Sequence, residues 1–169
     1  MLFHLRALSL GALLAVLAGG AIAQGAQVAF GGLKQDNTLP VQVAADQLRV
    51  DQSSGRAVFS GNVAVVQGAM TLKADEVEVI YGEGGASGGR IDELQARGHV
   101  TLVSATDAAE AETAVYRVAT GQVEMTGNVL LTQGQNALSG QKLVVDLRTG
   151  NGTMEGRVQT LFQPGATTP

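Results

Sequence analysis

From residue 41 to residue 162, apolar and polar side chains alternate almost one by one, with little sign of the 3.6-residue period of a helix. Ala57, Phe59, Gly61, Val63 and Val65 share one parity, and Val58, Ser60, Asn62, Ala64 and Val66 share the other. Further on, Val123, Met125, Gly127, Val129 and Leu131 stand against Glu124, Thr126, Asn128, Leu130 and Thr132. Successive side chains of a strand point to opposite faces, so the first set of each segment lines one surface and the second meets water. Val77, Val79 and Tyr81 alternate in the same way with Glu76, Glu78 and Ile80. Their equivalents are Leu48 and Val50, then Ala114, Tyr116 and Val118, then Leu143, Val145 and Leu147. Met70, Leu72 and Ala74 precede Val77 on the opposite parity. Such a flip requires one extra residue, which predicts a bulge or corner at Asp75 and at each equivalent position. Residues 105–118 have a helical composition, but they align with two clear strand segments, and that outweighs the weak prior of propensity.

These segments are copies of one another. Ser-Gly-Asn-Val at 60–63, ending in Gln67-Gly68, returns as Thr-Gly-Asn-Val at 126–129, ending in Gln133-Gly134. Gly98-His99-Val100 is a degraded copy with Ser104-Ala105 in place of Gln-Gly, and Gly156-Arg157-Val158 is a fragment. A single period of 29 residues accounts for all of them once residues 82–89 are taken as a glycine-rich insertion. A period of that size means one supersecondary unit stacked several times. The recurrent glycine inside each strand predicts a further bend.

Composition narrows the class. Twenty-three glycines and three prolines, with 4% aromatic residues, suit short turns between small and branched side chains. Residues 1–23 carry Arg6, an apolar stretch and Ala21-Ile22-Ala23, the three-part pattern of a cleaved signal peptide. The apolar run is too short to cross a membrane comfortably. Residues 24–40 read as a loose N-terminal arm with room for one edge strand, 41–162 as a single domain, and 163–169 as a disordered tail. Loss of Arg6 leaves ten basic against fifteen acidic residues, and the basic ones are scattered singly, so nucleic acid is not an expected partner. With no cysteine, an exported chain of this kind is held by packing and β ladders alone.

The residues offer little to catalysis. His99 occupies the place of Asn62 and Asn128 and reads as a water-facing strand residue, with no triad or ligand set around it. No cofactor and no metal site is expected, because zinc requires three or four suitably spaced ligands. Glu76 with Glu78, Glu110 with Glu112, and Asp92-Glu93 read as a solvated polar face. Residues 82–89 lack the spacing of a phosphate loop, and Asn151-Gly152-Thr153 matches a glycosylation sequon too short to be specific. What remains is the apolar stripe. Periodicity alone leaves open whether it is a closed core or an interior surface able to take an acyl chain.

Ala45-Asp46 to Val50, Gly61-Asn62-Val63 to Gln67-Gly68, Ala74-Asp75 to Val79, and Gly127-Asn128-Val129 to Gln133-Gly134, behind a signal peptide, resemble the OstA-like, or LptA, family. The resemblance implies an all-β, repetitive antiparallel β-jellyroll, folded like a taco and open at its ends. It implies a periplasmic lipopolysaccharide-binding bridge or shuttle, not an enzyme, that carries lipid A acyl chains from inner to outer membrane and serves outer membrane biogenesis. Its partners would be LptC-like and LptD-like proteins and further copies joined end to end by strand pairing, with energy from an ATP-driven transporter elsewhere. The expected lipid path is Phe59, Val63, Val65, Leu72, Val77, Val79, Val100, Leu102, Tyr116, Val118, Met125, Val129, Leu131, Leu138, Leu143 and Val145. Two rivals share parts of the pattern. One is a self-assembling β-solenoid that binds no lipid; the other is an exported enzyme acting on envelope polysaccharide, which would need convergent carboxylates on the inner parity.

Overall fold

The computed structural model describes residues 26–29, 33, 34 and 36–162. The segments read as a signal peptide and as a disordered tail lie outside the described residues. Six long strands form an antiparallel meander: β4 (Arg56–Gln67), β5 (Met70–Tyr81), β6 (Ile91–Ser104), β7 (Asp107–Arg117), β8 (Gln122–Gln133) and β9 (Asn136–Asp146). Preceding them are β1 (Ala26–Ala29), β2 (Gln42–Ala44) and β3 (Gln47–Asp51); following them are β10 (Asn151–Glu155) and β11 (Gln159–Leu161). Strands β2 and β3 both pair with β4 and make one edge. At the far edge β11 pairs with β9, and β1 pairs with β10. The sheet does not close on itself, so the architecture is an all-β jellyroll with open ends.

Every long strand is bent once, and all the bends line up. In β4 the pairing with β5 breaks between Ser60 and Val63, where Gly61 and Asn62 stand opposite Asp75 alone. The same break recurs at Gly98-His99 beside Glu112 and at Gly127-Asn128 beside Gln141. Two residues on one strand against one on the next is a bulge. It explains why apolar parity is kept along β4 but flips at Asp75 in β5. The bends expected at the glycines and at the Asp75-like positions are therefore one corner seen from two strands.

The corner demands left-handed backbone at two successive residues: Gly61 and Asn62 have φ of 79° and 48°, and Gly127 and Asn128 of 89° and 44°. Glycine takes that conformation freely; asparagine and histidine tolerate it better than most other residues. This is why His99, at φ 46°, can replace asparagine in the third copy. The second residue also reaches an acid on a neighbouring segment: Asn62 Nδ2 donates to Asp46 Oδ2 at 2.8 Å, and Asn128 Nδ2 to Glu112 Oε1 at 2.7 Å. His99 Nδ1 lies 2.8 Å from Asp75 Oδ2. His99 is exposed as expected, but it belongs to the corner and not to a flat strand. Glu112 likewise departs from the expected pairing with Glu110 on a strand face, because it sits in the corner as the counterpart of Asp75.

The corners divide the sheet into two facing leaves. One contains β2, residues 63–67, 70–74, 100–104, 107–111, 129–133 and 136–140, and β11. The other contains β3, residues 56–60, 76–81, 91–97, 113–117, 122–126 and 142–146, β10 and β1. Outside the second leaf, cross-strand ion pairs form between Arg56 and Glu78 at 2.9 Å, Lys142 and Glu124 at 3.0 Å, and Arg117 and Glu93 at 3.6 Å. Of the acids expected on a solvated face, Glu78 and Glu93 are thus engaged with bases on neighbouring strands, an arrangement of modest energetic weight. The glycine-rich insertion 82–89 contains a single helical turn, α1 (Gly85–Gly88), flanked by left-handed Gly84 and Gly89.

Candidate functional site

The interior between the leaves is the one constellation that gathers the chain's apolar residues. Of the residues expected along a lipid path, Val63, Val65, Leu72, Val100, Leu102, Val129, Leu131 and Leu138 belong to the first leaf. Phe59, Val77, Val79, Tyr116, Val118, Met125, Leu143 and Val145 come from the second leaf or its continuation. All face inward. Phe59 and Val118 are partly buried against the core and the rest are buried. Directly opposed residues on paired strands share a face, so the two inner surfaces are continuous from β4 to β9. The expectation omitted Ala96, Ala109 and Ala114, which are also buried in this surface, because alanine carries little hydrophobic signal in a sequence. It also omitted Leu94, Val123 and Met154, equally buried.

The interior is filled by these side chains: Val65, Val79, Leu102, Leu131 and Leu143 are all at 0% exposure. The wider depressions lie outside. One of about 460 Å³ runs over Gln122, Asn151 and Thr153, and one of about 470 Å³ lies along the corners at Asn62, Asp75 and His99. At the β3 edge the stripe comes to the surface. Leu48 pairs with Phe59 and Val50 with Ala57, so both share the inner parity, yet they are 56% and 46% exposed. Their expected place on the buried surface fails because, among the described residues, β3 is the last strand at this edge and no strand pairs beyond it.

Opposite the corners the leaves end in two lips, and the lip of the first leaf is polar. Gln67, Ser104 and Asp107 are buried at the end of the first leaf. The Gln-Gly of the repeat is thereby explained: Gln67 continues the inward parity of Val63 and Val65, and Gly68 turns the chain with φ 56°. Across the interior, the Tyr116 hydroxyl donates to Gln67 Oε1 at 2.7 Å. Burial pushes the Tyr116 phenol up to about 12, against the opposing pull of that bond.

The N-terminal arm lies along this seam. Gln67 Nε2 donates to the carbonyls of Leu39 at 2.8 Å and Asn37 at 3.1 Å. Asn37 Nδ2 donates to the Val118 carbonyl at 2.8 Å, on the other lip. Farther along, Gln133 Nε2 donates to the Ala29 carbonyl at 3.1 Å and to Asp107 Oδ2 at 3.1 Å. Leu33 inserts into the core at 0% exposure. The arm, expected to be loose, is stitched to both lips. The repetition of Gln-Gly at 67–68 and 133–134 was the sequence signal for it, but only the fold shows what the glutamines hold.

Among the described residues no cluster of His, Cys, Asp or Glu could hold a metal ion, and no helix is long and apolar enough to cross a membrane.

Comparison with known proteins agrees with this architecture. A solved structure of LptH from Pseudomonas aeruginosa, described as the LptA homologous periplasmic component of the conserved lipopolysaccharide transport device, superposes with a TM-score of 0.68. The match covers 77% of this chain and 99% of that one at 22% identity, a likeness of fold. An uncharacterized protein of Rhizobium meliloti is 33% identical over 157 residues, 88% of this chain and 84% of its own length. The lipopolysaccharide export system protein LptA of Escherichia coli is 28% identical over 113 residues, 64% of this chain and 60% of that protein. The family described as "LptA/(LptD N-terminal domain) LPS transport protein" matches residues 42–151, most of the span of the repeats. This chain therefore belongs to the LptA/(LptD N-terminal domain) family of lipopolysaccharide transport proteins, whose members work in the periplasm and are not enzymes.

Proposed function

We propose that this protein carries the acyl chains of lipid A along the interior between its two leaves, and that copies join end to end through their exposed edge strands. The observation that carries the reading is the continuous apolar inner surface, to which every long strand contributes on both sides of its corner. An acyl chain in water costs about 0.8 kcal/mol per methylene. A twelve-carbon chain thus gains roughly 10 kcal/mol from any apolar shelter before the cost of opening it. Similar contacts at each repeat let a chain advance without a deep trap. The edges support the assembly part: among the described residues β3 pairs only with β4, beside exposed Leu48 and Val50, and β11 pairs only with β9, with Leu161 and the following Phe162 exposed. LptC-like and LptD-like domains are the partners that would pair there.

Photo-crosslinkable residues at Val65 and Leu131 test the lipid part. They are expected to capture lipid A in cells, and a charge at either position is expected to abolish capture. If they never capture lipid, the reading fails. The full burial of Val65 and Leu131 favours a second reading, a self-assembling structural protein with a dry interior. Mass spectrometry of gently purified protein separates the two, since co-purified lipid belongs only to the first.

A further inference from the structure

The filled interior raises the question of what must move for a ligand to enter, and the seam supplies an answer. Gln67 is fully buried and its amide is fixed from both sides. Its oxygen accepts from the Tyr116 hydroxyl, and its nitrogen donates to two carbonyls of the arm. Turning the amide over would set its oxygen against those two carbonyls, so the N–H groups point to the arm. Gln133, in the equivalent place of the repeat, also donates to an arm carbonyl. In the degraded copy the equivalent residue is Ser104, 1% exposed, and its Oγ has no hydrogen-bond partner. The lip is thus a row of polar side chains, Gln67 and Ser104 buried and Gln133 half-buried, with both glutamines donating to arm carbonyls above an apolar interior.

What the arm places there has a definite chemistry: backbone carbonyl oxygens at the lip and, from Leu33, an aliphatic side chain in the core. An amide- or ester-linked acyl chain has the same construction, a carbonyl oxygen at the head of a methylene run. We propose that the arm, through Leu33, Asn37 and Leu39, is a built-in stand-in for such a ligand, and that Gln67 passes its N–H groups from the arm carbonyls to the carbonyl of an incoming acyl group. The inference rests on the acyl-binding reading above and adds the way in and the residue that recognises the head of the chain. A lifted arm takes from Gln67 Nε2 the two arm carbonyls that accept from it, a loss that a ligand carbonyl makes good and a bare alkyl chain does not. Asn37 touches both lips, so its release opens the seam.

The test uses the mature chain and two probes, one fluorophore carrying either a dodecanoyl amide or a dodecyl ether. Asn37→Ala, at a position that is only half-buried, and Leu33→Ser, in the core, both loosen the arm. Each is expected to tighten binding of both probes about tenfold, since the arm then competes less well by about one hydrogen bond or one apolar contact. The unsubstituted chain should prefer the amide probe by about tenfold, the worth of one buried hydrogen bond. Gln67→Leu should bind the ether probe at least as tightly as the unsubstituted chain and show no preference for the amide. Hydrogen exchange at the β4–β9 amides confirms that each variant is folded, and Asn37→Ala carries the test if Leu33→Ser is not. Arm variants that bind no more tightly would overturn the stand-in, and a preserved amide preference in Gln67→Leu would overturn the recognition role, with acyl binding intact in both cases. Binding of neither probe by any folded variant would remove the acyl-binding reading and this inference together.

Discussion

The two ends of the stack are built from the same repeat and finish in opposite ways. At the β3 end, Leu48 and Val50 keep the inner parity but stand in water, and Phe59 beneath them is only partly covered. At the β10 end, Met154 takes the equivalent inward place opposite Leu143 and is wholly buried. It packs so closely that a Cβ on Gly140 would lie 2.7 Å from its sulfur. The difference lies in what covers each terminal strand: β1 pairs with β10, while among the described residues no strand lies beyond β3. Within the second leaf, one end of the apolar interior is thus covered by the chain's own β1 and the other is bare among the described residues. A stacked repeat does not decide this; the path of the arm does.

The largest expected break in the comparison is at the sealed end. Met154→Ala should cost about 2–4 kcal/mol in urea unfolding, as for other buried methionines, while Leu48→Ala should cost less than about 1 kcal/mol. Similar losses at both would show that the ends do not differ. Next come the corners. Gly127→Ala forces φ 89° on alanine and sets its Cβ 2.7 Å from Glu112 Oε2, which should cost about 1–3 kcal/mol. Gly61→Ala, against Asp46 at the less covered end, should cost less, and thermal melts of the pair give the ranking.

Tyr116→Phe is smaller, about 1–2 kcal/mol at neutral pH, for the lost bond to Gln67. The phenol is harder to ionise in the folded protein than in the unfolded chain. Its contribution is therefore complete below pH 10 and lost as pH rises toward about 12. Unfolding measured across that window should show the decline in the parent chain and a flatter profile in the variant; identical profiles would contradict the assignment. The smallest effect on stability, within about 0.5 kcal/mol, is expected for Leu48→Lys. This change should nevertheless weaken end-to-end association in sedimentation runs, because a charge on an edge strand opposes pairing. Unchanged association would place the joint elsewhere.

Much of this was legible in the chain. The strand alternation marked the inner surface, and the parity flip at Asp75 located the corner, because a period of two cannot change phase without an inserted residue. Leu48 and Val50 misled, since parity states which face a residue takes and not whether anything covers that face. Glu112 misled because a corner acid and a strand acid carry the same charge pattern. The equivalence of His99 with asparagine was visible, but its cause, a left-handed backbone beside an acid, was not.

By itself, then, the sequence determined the all-β repeat, its corners and the apolar face of each strand, since all of these follow from the local steric period of the backbone. Only the tertiary structure decided that the two faces meet as a filled interior, that the second leaf is covered at one end and bare at the other, and that Gln67 and Gln133 hold the arm at the seam. Those outcomes depend on which distant residues come within a few ångströms of one another, as Asn37 does of both Gln67 and Val118, and no local pattern encodes that distance.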